Sequence, residues 1–234
     1  MESTSTSGGA EQATADQGLS LLRLQQLFDS QFPIGTFAHS GGLETYSHRP
    51  GFDAAALGEL LAAQIEHGWG RLDLAAFALA WQAAGDRAEL ERLAAEVEAW
   101  KLVPGQRLAS IRLGRRMAAL AARLFPALAP DWKLSRPHLC VTAGALTRRL
   151  GLPLEQSLLF FAQSNLTASL AAATRAMSLS PEQAQELLIG LQPALTPAVQ
   201  RTLADPRASL FAATPGLDVR AHQQASLHTR LFQS

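Results

Sequence analysis

Cysteine occurs once in these 234 residues, at Cys140, which excludes an internal disulfide and a zinc site built from several thiolates of one chain. A lone thiol fits a reducing compartment, so the cytoplasm is the expected location. Strand-forming residues are almost as scarce: five Val, four Ile and one Tyr stand against 43 Ala and 40 Leu. Helices favour Ala and Leu, and the composition therefore predicts an all-α fold. Net charge is absent too, since 20 Lys and Arg balance 20 Asp and Glu. That removes whole-protein attraction to nucleic acid or anionic membrane as a default account of function. No run of about eighteen apolar residues exists to cross a bilayer. Phosphate-binding loops, dinucleotide fingerprints, paired cysteines and kinase motifs are all missing, so neither nucleotide chemistry nor a bound cofactor is expected of the chain itself.

What is present is helix punctuated by Pro and Gly. The pattern predicts helices over roughly 19–30, 38–48, 53–68, 71–84, 86–102, 104–125, 136–150, 153–176, 181–191 and 197–212. They form a single compact bundle of about ten helices. Residues 1–17, made of Ser, Thr, Gly, Ala and Gln without an apolar run, read as a disordered segment that is neither signal peptide nor span. Residues 18–213 read as the helical domain, and 214–234 as a tail too polar to fold alone, loose or docked on a partner. In the helix opening at Pro104, Leu108, Ile111, Ala118, Ala122 and Phe125 define the expected buried face, opposite a side rich in arginine. Gly151-Leu152-Pro153 ends one helix and opens the next, and Ser180 is the expected cap of the helix that follows it.

Three features invite a functional reading. Ala38-His39-Ser40-Gly41-Gly42 resembles a nucleophile elbow, which makes a hydrolase using Ser40 one alternative. That elbow needs a preceding strand, and here the preceding element is helical. The competing reading is a loop–helix junction in which Ser40 hydrogen-bonds locally and the glycines permit close backbone approach. Six histidines are scattered without a pair on one helical face, and His138 with Cys140 diverge on a helix, so no metal site within the chain is expected. Ten of the 20 basic residues fall between Lys101 and Arg149, where Asp131 is the only acid. They form either a solvated face paired with the acidic helix before it, or the docking surface of a generic helical adaptor for an acidic partner. Nucleic acid is disfavoured because aromatic residues are not interleaved with the arginines.

The two ends of the chain carry a family resemblance. Leu24-x-x-Leu27, Asp29-Ser30, Phe32-Pro33-Ile34-Gly35 and Phe37-x-His39-Ser40-x-Gly42-Leu43-Glu44 resemble the N-terminal signature of the urease accessory protein UreF family. Leu217-Asp218, followed by Arg230-Leu231-Phe232-x-Ser234, is similar to that family's closing motif. Gly144, Leu150-Gly151-Leu152, Arg175 and Gln185 lie between them in the expected order.

The resemblance implies a non-enzymatic helical scaffold that dimerises and binds UreD, called UreH in some species. It also implies recruitment of the GTPase UreG, whose nucleotide state governs nickel delivery to apo-urease. By family pattern the partner-binding residues are Phe37, His39, Ser40, Glu44, Tyr46, Arg175, Asp218, Arg230, Leu231 and Phe232. Tyr46 and Arg230 would belong to contacts that order the tail when UreD binds, and Arg175 to the surface facing the GTPase. The chain departs from the pattern at Gln224-Ala225, where the family usually carries His-Glu, and at Ser180-Pro181, where Gly-Gln is common. The loop at 29–46 and the tail at 217–234 are thus expected to form one recognition region.

Overall fold

The structure is a computed structural model describing residues 7–36, 42–127, 133–224 and 231–232. Among these residues there are ten α-helices and no strand, as the Ala and Leu content predicts. Helix α4 (Trp69–Gln82) lies at the centre, because apart from Arg71, Asp73 and Gln82 its residues are apolar and leave little surface that water would accept. Gly70, Leu72 and the run from Leu74 to Ala80 are buried. Around it pack α3 (Ala54–His67), α5 (Arg87–Trp100), α7 (Leu139–Arg149), α8 (Leu154–Ala176) and α9 (Pro181–Ala204). Gly144 of α7 sits so close to α4 that a Cβ there would lie 2.2 Å from the Phe77 carbonyl oxygen. The Phe77 ring continues the core to Phe161 and Phe28, with centroids 5.0 and 6.3 Å away.

Helix α1 (Ser7–Phe28) begins well before residue 19, where the apolar periodicity starts, and buries Leu24 and Leu27 against the bundle, packing on α8. Between α3 and α4 the chain turns at Gly68 and continues at once. Gly70 permits that corner, since a Cβ on it would fall 2.0 Å from the Ile65 carbonyl oxygen. Helix α7 ends as expected: Gly151 has φ +71°, the Leu152 N–H donates to the Thr147 carbonyl at 2.9 Å, and the Gly151 N–H donates to that of Arg148 at 3.0 Å. Helix α9 opens with a capping box between Ser180 and Gln183.

Two expectations need correction. In α6 (Pro104–Leu124) the buried residues are Ala109, Gly114, Met117 and Ala121, while Leu108 is exposed. The packing glycine decides the face. A Cβ on Gly114 would stand 1.9 Å from the Pro137 carbonyl oxygen, so this side, not the one through Leu108, is pressed on its neighbour. The second concerns α9, which runs unbroken through Pro193 and Pro197 instead of splitting between 191 and 197. Both prolines lie on the exposed side, one turn apart, where water can take up the carbonyls they leave unpaired. Leu195, Ala198 and Val199 bury the other side. The helix then stops at Ala204, short of the expected 212, because Pro206 holds Asp205 extended at φ −153° and ψ 91°.

The acidic helix α5 does serve as an internal partner for part of the basic segment. Glu98 pairs with Arg136, and Glu91 accepts from the Ser135 N–H and Oγ–H at 2.9 and 2.6 Å. Its other acids bind the returning chain: the Arg207 guanidinium donates to Glu96 and Glu89 at 2.9 and 3.0 Å. Helix α10 (Pro215–Gln223) follows, a helix in what composition marks as tail, and it rests on α2 (Leu43–Ser47).

Candidate partner-binding site

Helix α2 is only five residues long, so its position is set by contacts rather than by its own hydrogen bonds. Gly42 leads into it with φ +97°, a conformation that suits glycine. A second reason fixes glycine here: a Cβ would lie 2.8 Å from the Cβ of Ala221 on α10. Two residues on, Glu44 is 1% exposed. Its carboxylate accepts from the Gln224 Nε2–H at 3.0 Å and from the Leu231 backbone N–H at 2.6 Å. A buried carboxylate is costly unless its oxygens are hydrogen-bonded, and both of these are.

Phe232, next to Leu231, is 4% exposed and joins the core. The Arg175 guanidinium, at the end of α8, lies over its ring at 4.6 Å from the centroid. Leu231 itself is exposed. Tyr46 stacks near Phe52, with centroids 5.6 Å apart, and its hydroxyl approaches Gly216 of α10. Glu44, Tyr46, Arg175, Leu231 and Phe232 are thereby brought together from α2, α8 and the C-terminal segment. Asp218 is placed elsewhere: it lines a cavity beside Lys101, and burial pushes its carboxyl above the usual range. Phe37, His39, Ser40 and Arg230 lie outside the described residues.

Sequence reading passes over Gln224 except as a departure from the family pattern, yet it holds one end of the clasp on Glu44. Ala221 carries no sequence signal of its own. The signal was Gly42, whose neighbour could be found only in three dimensions.

Asp73, Lys101 and Ser110, which line the same cavity, adjoin the buried His138 and Cys140. Lys101 pairs with Asp73 at 2.8 Å; burial pushes the ammonium's pKa down, but Asp73, with Cys140 and Asp218 adding to it, leaves it raised. Burial, and then the same carboxylate, push the Cys140 thiol well up, so it stays protonated. His138, fully buried, has its Nδ1 3.2 Å from Ser110 Oγ. Burial first and the Lys101 charge second lower its pKa to about 4, which keeps the ring neutral near pH 7. No three His, Cys, Asp or Glu side chains converge in metal-ligating geometry among the described residues.

The UreF family model matches residues 52–192, more than half of the chain. This chain belongs to the UreF family. Full-length relatives agree. A protein of Paracoccus denitrificans (strain Pd 1222) named urease accessory protein UreF is 34% identical over 216 residues, covering 91% of this chain and 95% of that one. One of the same name from Mycobacterium sp. (strain JLS) is 34% identical over 221 residues, covering 92% and 99%. Another, from Chromohalobacter salexigens, is 33% identical over 224 residues, covering 92% and 95%. Among the described residues no helix is long and apolar enough to cross a membrane.

Proposed function

We propose that this chain is a cytoplasmic scaffold of urease maturation: a homodimer that bridges UreD (UreH) and the GTPase UreG, and so governs GTP-dependent nickel delivery to apo-urease. Membership of the UreF family supports the setting, and the relatives' shared name, urease accessory protein, supports a helper over an enzyme. The observation that carries the docking region is the clasp of Glu44 on Gln224 and Leu231. It joins the two signature motifs into one surface, with Leu231 exposed beside the buried Phe232. An exposed leucine held in place by a fixed neighbour presents an apolar contact at little ordering cost to a partner. Arg175 borders that surface, and its guanidinium already stacks on Phe232. In this reading it steadies the tail that UreD meets and reaches UreG only through it.

The test is co-purification with UreD, UreG and apo-urease, with and without nickel and a non-hydrolysable GTP analogue. Removing residues after Gln224 leaves α10 but deletes the Leu231 and Phe232 contacts. The shortened chain should stay helical and monodisperse while UreD is lost. Normal UreD capture by that chain would remove the tail from the interface.

A further inference from the structure

A cavity of about 250 Å³ opens between α3, α4, α6, α8 and α10. Leu61, Leu72, Leu113 and Phe161 give it apolar walls. Two other lining side chains each hold a buried N–H with no hydrogen-bond partner: Nε2 of Gln64, a residue 9% exposed, and Nε1 of Trp69. Buried donors are paired in the great majority of cases, so two orphans around one hollow ask for an acceptor. Asp73 and Asp218 supply acceptors in the same lining. Lys101 is taken by Asp73 at 2.8 Å.

That inventory sorts ligands by charge. An anion would satisfy the two N–H groups but would face Asp73 and Asp218. A cation would meet the carboxylates but also Lys101, and would leave both donors unpaired. A primary amide has a carbonyl oxygen that can accept from an orphan N–H such as that of Gln64 or Trp69, and N–H groups that can donate to a carboxylate. Space is adequate, since an enclosed cavity of about 150 Å³ already admits a benzene ring. We infer that this cavity is a binding site for a small neutral amide with an apolar body, held by the orphan N–H groups of Gln64 and Trp69. The inference rests on the cavity alone and is independent of the partner-binding reading above.

Benzamide is the probe, titrated into the full-length ¹⁵N-labelled chain while the indole N–H resonances are followed. Trp69→Phe identifies the Trp69 signal by its disappearance. That signal should move downfield and saturate, with a Kd on the order of 1 mM for a ligand of this size. Gln64→Leu should weaken binding about 3- to 10-fold, the loss of one hydrogen bond, while the Trp69 signal still reports it. Benzoate and benzylamine, with the same ring but a charge, should bind at least about tenfold more weakly. A Trp69 resonance unmoved by benzamide in the folded protein would overturn the inference. So would equal binding of benzamide and toluene, which would make the cavity merely apolar.

Discussion

The Glu44 carboxylate and the Leu231 backbone N–H, 187 residues apart in the chain, meet at 2.6 Å. Because Glu44 also accepts from Gln224, one buried side chain holds both the end of α10 and Leu231. The short α2 and the C-terminal segment consequently behave as one unit. Loss of the carboxylate should be felt far from residue 44.

Glu44→Ala removes the acceptor for two donors. Hydrogen bonds to charged groups contribute about 1.5–3 kcal/mol each, but the freed donors can regain water once the segment lifts, so a total cost of about 2–4 kcal/mol is expected. Urea unfolding measures it. Limited trypsin digestion should in addition cut after Arg220 faster than in the parent, because α10 loses its far anchor. Glu44→Gln keeps one carbonyl oxygen and should lie between the two.

Gly42 should be far less replaceable than Gly51, though both have positive φ, +97° and +76°. At Gly51 an added Cβ meets nothing within 4 Å, so Gly51→Ala costs the backbone strain alone, about 1–2 kcal/mol. At Gly42 the same strain is joined by a clash with Ala221 at 2.8 Å. Gly42→Ala should therefore cost more and loosen α10 as well. If the two variants unfold at the same urea concentration and resist trypsin equally, the close packing of α2 on α10 is not limiting.

Arg175 and Phe232 permit a sharper measurement. A guanidinium over an aromatic face at an exposed site is worth about 0.5–1 kcal/mol. A double-mutant cycle with Arg175→Ala and Phe232→Leu should return a coupling of that size, with Phe232→Leu alone costing about 1–2 kcal/mol through lost ring packing. For partner binding, Arg175→Ala and Phe232→Leu should then weaken UreD capture in the same direction. A variant at Arg175 that lowers UreG capture while leaving UreD untouched would assign the arginine to the GTPase instead.

How far these features could be read from the sequence differs from residue to residue. Ala and Leu content, the capping box at Ser180 and the glycine turn at Gly151 are local, and each acted as its own chemistry dictates. Pro193 and Pro197 misled because the cost of a helical proline is lower where its freed carbonyl reaches water, and exposure is a tertiary property. Leu108 misled for a related reason: Gly114, pressed on the Pro137 carbonyl, turns α6 so that a leucine faces out and an alanine faces in. The meeting of α2 with residues 231 and 232 came into view through the two family motifs, whereas periodicity gave no sign of it. Orphan donors such as those of Gln64 and Trp69 leave no trace in sequence, since any Gln or Trp could have found a partner.

His138 makes a prediction about acid. Its folded pKa of about 4 lies below the ordinary 6.5, so between these values the unfolded chain binds a proton that the folded one refuses. Stability from this group is therefore complete above pH 6.5 and is lost as pH falls toward 4. The charged groups that face it are Lys101, Arg136 and Arg107 on the positive side, which disfavour the imidazolium, and Asp73 on the negative, which favours it. Going from pH 7.5 to pH 4.5 should cost about 2–3 kcal/mol, read from urea midpoints at constant ionic strength. Asp218, its carboxyl raised by burial, works in the opposite sense and offsets part of that loss at the acid end. His138→Gln, which retains a polar side chain near Ser110 without a proton to gain, should flatten the profile between these two pH values even if it lowers stability at both. An unchanged slope in that variant would assign the acid sensitivity to other groups.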